Sequence, residues 1–587
     1  MAVETTTPEE FGEVSRLKGI VFEYLSLGAS VVGLLALAAL LVYVFVDAFG
    51  LATASPEWLL TYFLTLVVPF IGFCLYSVDD RALIRQTLLA LGGGLVAVAA
   101  GFAAIETFIA PIPRLSWPVG YLFVVVTPVA ARLSVAATSR PVGAAGFGVV
   151  GRLLGGAGLG IAVAILFIVS DLELWFLAYT LGVLPATAIY LFGRSTDSVR
   201  LRTLAAPVGI LGFIVAVLLR PVLGVYPAAG LEFLWTLALP LAVGSAALVD
   251  SRGHGRRVAA AVGGVTLLAG AAGIALGSAA LPDGSGVAVL AMTAAPTAVF
   301  VADSYDGPGR IGLTLPVILG GGALAGAAIV AAVGIPTPEM WLTPEYLTSA
   351  PSRTAADAGL YPAIVGSIII IAMVAVISFV LGVGAAVFLE EYTAGSGWLG
   401  SVTRLFQINI ANLAAVPSVV YGLLGLGLFA NLLGFGFGTA VTAALTLSLL
   451  ILPITVISAQ EAVRSVPDEL RQGSYAMGAT RWQTIKNVVL PEAMPGILTG
   501  TILALGRAIG ETAPLIMIGA ATTVFSAPAG IWSRFSAMPM QIYAWANFPQ
   551  AEFRYGVVAA GVVTLLIVLL ALNGTAIIIR NRLEREH

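Results

Sequence analysis

Apolar runs of about 20 residues recur sixteen times along this chain, each long enough to cross a hydrocarbon core ~30 Å thick. Inside lipid the backbone must satisfy its own hydrogen bonds, so runs of this kind become helices. Charged residues make up 10% of the chain and hydrophobic residues 59%, whereas a soluble protein of this length carries about 25% charged residues. The expected fold class is an all-α polytopic membrane protein with about 16 transmembrane helices. The single cysteine, Cys74, sits in an apolar run, so neither a disulfide nor a thiol metal site is available. His254 and His587 form no metal cluster, and no cofactor is expected. A net charge of −3 is too small to point to nucleic acid.

Residues 1–25 carry Glu4, Glu9, Glu10 and Glu13, and the first run, 26–47, is too long for a signal core and lacks a cleavage site. They read as a cytoplasmic segment before a span that stays in the membrane. Up to residue 305 the chain then repeats itself. A proline recurs inside every second run, at Pro69, Pro128, Pro185, Pro240 and Pro296, at intervals of 55 to 59 residues. Fixed spacing marks duplicated units; five helical hairpins make a ten-helix membrane domain over 26–305. The stretches SPEWLLTYFLT after span 1 and TPEMWLTPEYLTS after span 11 also look related. Low-complexity glycines, as in GGAGLG at 155–160, suit close helix packing.

Arginine sets the expected orientation. Loops after even-numbered spans hold Arg81, Arg85, Arg132, Arg140, Arg152, Arg194, Arg200, Arg202, Arg252, Arg256, Arg257 and Arg310, whereas loops after odd-numbered spans of the array hold only Arg114 and Arg220. By the positive-inside rule the even loops and both termini are cytoplasmic. The remaining spans fall near 311–334, 361–388, 406–430, 438–459, 495–520 and 556–579.

Between the fourth and fifth of these lies a polar insert, Glu461–Leu490, closed by Pro491. Ser465 with Asp468, and Thr480 with Gln483, have the spacing of capping boxes. Gly478 stands where a first short helix should stop, because glycine takes the left-handed turn cheaply. The insert reads as a helix–turn–helix finger, a device for docking something in the cytoplasm. An ordinary basic loop is the plain alternative.

The same stretch resembles the cytoplasmic signature of ABC importer permeases, EAA-x3-G-x9-I-x-LP. Gly478 holds the glycine, followed by Ala479 and Thr480; Val488 replaces the isoleucine, Leu490-Pro491 close it, and Gln472-Gly473-Ser474 stand for the EAA triplet. Gly478–Ile516 (GATRWQTIKNVVLPEAMPGILTGTILALGRAIGETAPLI), Pro362–Thr393 and Asn412–Ala430 resemble the A-type permease of phosphate ABC importers. Residues 306–587 are thereby expected to form a type I importer permease domain with its coupling segment at 461–491. The resemblance implies a non-catalytic subunit that moves inorganic phosphate across the cell membrane. Its implied partners are a sister permease, ATP-binding ATPase subunits and an extracytoplasmic phosphate-binding protein, within membrane lipid. No G-x4-G-K-[ST] loop occurs, so ATP would be hydrolysed on another chain.

Arg507 and Glu511 lie in the middle of an apolar run, four residues apart and so on one helix face. A charge at mid-membrane costs at least ~2.5–3.5 kcal/mol, which favours a role in a pathway. Arginine suits an oxyanion because its planar fork donates two parallel hydrogen bonds; Glu511 would compete and keep the anion from binding too tightly. A structural ion pair between helices is the alternative. Asn409, Asn412, Ser418 and Tyr421, around Pro417, form a second polar patch, lining a path or bonding between helices. Glu390 and Glu391 read as solvated charges at a span end. A permease for sulfate or molybdate, and a gradient-driven transporter or membrane sensor, remain as other readings.

Overall fold

The computed structural model describes residues 16–108, 116–169, 172–222, 229–277, 284–392 and 398–585. Residues 1–15 of the N-terminal segment and Arg114 lie outside them. Among the described residues the chain is helical, with one isolated bridge between Thr439 and Arg534. Fifteen helices are long and apolar enough to cross a membrane, and the pair Arg404–Ala414 and Ser418–Leu432, bent by 106°, makes a sixteenth span if read as one broken helix rather than a re-entrant loop. The all-α polytopic class and the count of about sixteen agree with the sequence. The arginines differ in placement. Arg132 and Arg152 stand well inside the helices Thr127–Thr138 and Pro141–Val169 rather than in loops, and Arg81, Arg85, Arg194, Arg200, Arg202, Arg256 and Arg257 lie in the end turns of helices.

The recurring prolines share a backbone device. Pro69, Pro128, Pro185 and Pro240 each sit in the first turn of an α-helix that follows a five-residue π-turn: Phe63–Val67, Leu122–Val126, Tyr179–Val183 and Leu234–Ala238. A proline ring clashes with the carbonyl four residues back and supplies no N–H. Widening the preceding turn relieves the clash, and the residue before each proline donates to the carbonyl five back, as Val68 does to Phe63. Pro296 departs from the pattern and lies within the unbroken helix Ser285–Tyr305.

Glycine brings the spans together. A Cβ on Gly156 would stand 2.6 Å from the Cα of Thr293, and one on Gly160 would stand 2.5 Å from the Cα of Val289. Helices Pro141–Val169 and Ser285–Tyr305 therefore touch backbone to backbone, the close approach that small residues permit.

Span 1 leaves this array and packs on the last helix of the chain. Ala48, Ala559 and Val563 share one buried cluster. The carbonyl of Ala48 accepts the N–H groups of Trp341 and Leu342, and Thr53 Oγ1 accepts that of Glu339. The related SPEW and TPEM segments are thus neighbours in space. Helix Pro56–Tyr62 and its continuation lie against Leu315–Val333, where a Cβ on Gly322 would meet the Thr65 carbonyl at 2.2 Å. The chain departs for ten helices and returns at the same place. The largest core lies beyond that point, around the fully buried Phe535, Trp545 and Phe553.

Gly160→Leu is expected to destabilise the protein by about 1–3 kcal/mol, since the added side chain has backbone in its way. Gly158→Ala, with nothing within 4 Å, should be near neutral; reversible unfolding in mixed detergent compares the two.

Candidate functional site

The polar insert begins where helix Ala440–Arg464 ends. Ser465 closes that helix, its hydroxyl donating to the carbonyl of Ala462. The expected Ser465–Asp468 capping box is therefore absent: Pro467 is the N-cap of the next helix, and Asp468 instead accepts from Arg471 at 3.2 Å. Proline cannot offer a side-chain acceptor, so chain direction rather than a cap starts this helix. The short helix Asp468–Ala476 stops as expected. Gly478 takes φ +82, its N–H donates to Tyr475, and that of Ala479 donates to Ser474; these are the paired bonds of a Schellman turn. Thr480 and Gln483 form the reciprocal capping box, at 3.3 and 2.8 Å.

The second arm is not a separate helix. From Arg481 the chain runs through a π-turn at Ile485–Val489 into Leu490–Ile509 as one candidate span of 29 residues. Leu490-Pro491 do not close the finger; Pro491 sits in the first turn after the π-turn, as the array prolines do. The hydroxyls of Ser474 and Thr484, both buried, meet at 2.9 Å and tie the two arms together. At the tip Met477 is 84% exposed and Trp482 57%, with Leu470 and Tyr475 also exposed. Large apolar groups on a polar finger are the kind of surface a partner protein covers.

Glu390 and Glu391 are not solvated. They occupy the turn Phe388–Tyr392, at the end of helix Tyr361–Val387. Glu390 accepts from Arg464 through both carboxylate oxygens, at 2.7 and 2.8 Å, and from Gln460 at 2.7 Å. Glu391 accepts from Arg471 at 3.2 Å, with side-chain exposures of 8% and 16%. Arg471 also donates to the carbonyls of Val463 and Val466, satisfying the end of the preceding helix. One guanidinium thereby fixes the finger's angle to two spans. The partners lie 74 and 80 residues from their glutamates, beyond the reach of any local pattern.

The second candidate site is a broken helix. Leu490–Ile509 runs antiparallel to Ala440–Arg464: a Cβ on Gly496 would meet Ala462, and one on Gly500 would meet Ser458. Extended at the same pace, Arg507 comes level with Ile451, near the middle of the neighbouring span. The helix ends there, not at residue 520. Glu511 consequently lies past the helix end rather than on a shared face, yet its carboxylate still accepts from Arg507 Nε at 3.3 Å. Arg507 remains 46% exposed and Glu511 18%. The terminal guanidinium nitrogens of Arg507 have no protein partner among the described residues, so its fork faces open space.

The patch around Pro417 is brought against this break. Helix Ser418–Gly425 packs on the short helix Ala513–Met517, with Gly422 close to Pro514 and Met517. Tyr421 is buried, and its hydroxyl donates at 2.8 Å to the carbonyl of Leu413, the one Pro417 cannot reach. That proton is structural, and it stabilises the bend. Ser418 is half-buried at the start of the helix, whereas Asn409 and Asn412 are exposed and Asn409 bonds within its own helix.

Removing one partner of a buried ion pair costs about 3–5 kcal/mol. Arg471→Ala is therefore expected to release the finger, seen as a sharp gain in proteolysis near Tyr475 while the spans stay folded. Asp468→Ala, at an exposed pair, should leave the cleavage pattern unchanged.

Residues 382–585 match the family described as binding-protein-dependent transport system inner membrane component. The chain is 37% identical over 222 residues to the phosphate transport system permease protein PstA 1 of Mycobacterium tuberculosis, covering 38% of this chain and 70% of that protein. It is 38% identical over 179 residues to the probable ABC transporter permease protein YqgI of Bacillus subtilis, covering 30% of this chain but only 59% of that protein. The inward-facing MetNI methionine ABC transporter aligns with 38% of this chain and 97% of its own at 19% identity, with a TM-score of 0.32. The chain belongs to the binding-protein-dependent permeases of ABC transporters, as a PstA-type permease with an additional N-terminal membrane region.

Proposed function

We propose that this permease carries inorganic phosphate inward, driven by ATP hydrolysed on partner ATPase subunits. The observation that carries the reading is the Arg507 fork, open at a helix end level with the middle of the neighbouring span Ala440–Arg464, with Glu511 beside it. Discontinuous helices are where transporters place their substrate sites. Hydrogen bonds from a charged group contribute roughly 1.5–3 kcal/mol each. The Glu511 carboxylate occupies Nε alone, leaving the two terminal nitrogens, with four N–H donors, for oxyanion oxygens and a competitor for release. The relatives named as phosphate permeases supply the choice among oxyanions.

The coupling path follows from continuity. The helix Arg481–Ile509, of 29 residues, spans about 43 Å at 1.5 Å per residue and carries Trp482 at the finger tip and Arg507 near its other end. Motion of an ATPase groove around Met477 and Trp482 reaches the Arg507 end as a rigid-body displacement. A sister permease would complete the pathway, and an external phosphate-binding protein would deliver to the opposite face. The finger side, with both termini, is cytoplasmic in this reading. We place the array at 56–333, inserted between span 1 and the rest of the permease, rather than at 26–305, because span 1 packs on the last helix.

Arg507→Gln should lower radiolabelled phosphate uptake by on the order of 100-fold, from two lost charge-assisted bonds, while co-purification with the ATPase persists. Normal uptake would remove Arg507 from the mechanism, and uptake competed away by sulfate or molybdate rather than phosphate would change the substrate. Gly478→Val forces a β-branched residue to positive φ at about 1–2 kcal/mol, and should reduce ATPase recovery with the finger still cytoplasmic. An impermeant thiol reagent on Gln483→Cys reads that sidedness; labelling from outside overturns the orientation.

A further inference from the structure

At one end the span Tyr361–Val387 runs into the turn Phe388–Tyr392, whose last three residues each grip a different part of the finger. Glu390 holds Arg464, at the end of the helix that leads into the finger. Glu391 holds Arg471 on the first arm at 3.2 Å. Tyr392 carries the Arg481 guanidinium over its ring, 5.2 Å from the centroid, at the start of the second arm. A cation within about 6 Å of an aromatic face is attracted by the ring's quadrupole. The Gly478 turn and the Ser474–Thr484 contact already close the finger on itself. The three grips therefore set where the finger stands, not its shape.

The same span is fastened at its other end. Ser367 is buried, and its Oγ accepts the backbone N–H of Met538 at 2.9 Å. A Cβ on Gly366 would stand 2.1 Å from the carbonyl of Ser536. The buried segment Phe535–Met538 thus crosses the span backbone to backbone. It belongs to the stretch of chain that follows the break after Ile509. From Tyr361 to Tyr392 the candidate span has 32 residues, about 48 Å at 1.5 Å per residue. Close-packed helices transmit displacement because they compress little. The finger therefore has two outputs. One helix continues from it to Arg507; a second, gripped from the side, reaches the opposite face of the protein.

We propose that the turn Phe388–Tyr392 is the joint by which the finger drives this second span, with Glu391 and Tyr392 as positioning residues for transport. Through it a push on the finger moves the segment Phe535–Met538 in step with Arg507. The proposal rests on the reading that ATPase subunits grip the finger. With the joint loosened, the finger is still pushed and ATP is still hydrolysed, but the opposite face no longer follows. Hydrolysis then runs ahead of transport.

The test uses the whole complex, purified through this chain and reconstituted in proteoliposomes, and reads ATP hydrolysed per phosphate moved. Glu391→Gln should raise that ratio by on the order of tenfold with ATPase recovery unchanged, and Glu391→Asp should regain part of the coupling. A merely structural role would lower recovery of the complex and leave the ratio alone. Tyr392 is 44% exposed, so it decides the matter if Glu391→Gln fails to fold. Tyr392→Leu should raise the ratio about threefold, the size of one lost cation–π contact, and Tyr392→Phe, which keeps the ring face, should not. In nanodiscs, an impermeant fluorophore on Arg534→Cys, an exposed position beside the segment, should respond to ATP, and the response should vanish with Glu391→Gln. An unchanged ratio in the folded variants, or a response that survives them, overturns the joint. A parent complex that moves no phosphate with ATP overturns the proposed function first, and the joint with it.

Discussion

Every carbonyl and N–H of this chain that enters the hydrocarbon must find its partner within the protein, because lipid offers none. That demand produces sixteen spans from a sequence poor in charge, and it makes each interruption of a helix an event requiring compensation. The array meets it with π-turns ahead of four prolines. The bend at Pro417 meets it with the Tyr421 hydroxyl on the Leu413 carbonyl. The end of helix Ala440–Arg464 meets it with Arg471 on the carbonyls of Val463 and Val466. The break after Ile509 leaves a guanidinium and a carboxylate level with the middle of the neighbouring span, which is why the transport reading centres there.

The finger and the break are two ends of one mechanical element. Ser474–Thr484 closes the finger on itself, and Glu390 and Glu391 hold it to the end of another span. Between these restraints and Arg507 the chain never leaves helix. Such a part moves as a body or not at all, and the apolar residues at its tip are the surface through which it can be moved.

Much of this was legible in the residues. Hydropathy located the spans because length and apolarity act locally, and Gly478, Thr480 and Gln483 announced their turn because caps are satisfied within four residues. The Ser465–Asp468 pair failed because the same hydroxyl can close the helix behind it as readily as open the one ahead, and Pro467 decided between them. Pro491 misled for a related reason: a proline marks either a helix start or a relieved interior, and the π-turn at Ile485–Val489 makes it the second. Arg152 was read as a loop residue because glycine-rich flanks blurred the boundary of its span.

By itself the sequence determined the membrane class, the turn at Gly478 and the proximity of Arg507 to Glu511, all consequences of contacts made within a turn or of transfer from water to lipid. Tertiary structure alone decided that Glu390 and Glu391 clamp the finger, that Arg507 ends a helix rather than sitting within one, and that span 1 rests against the last helix. Those outcomes depend on partners brought together from far along the chain, whose meeting is set by how helices pack and not by any spacing that can be counted.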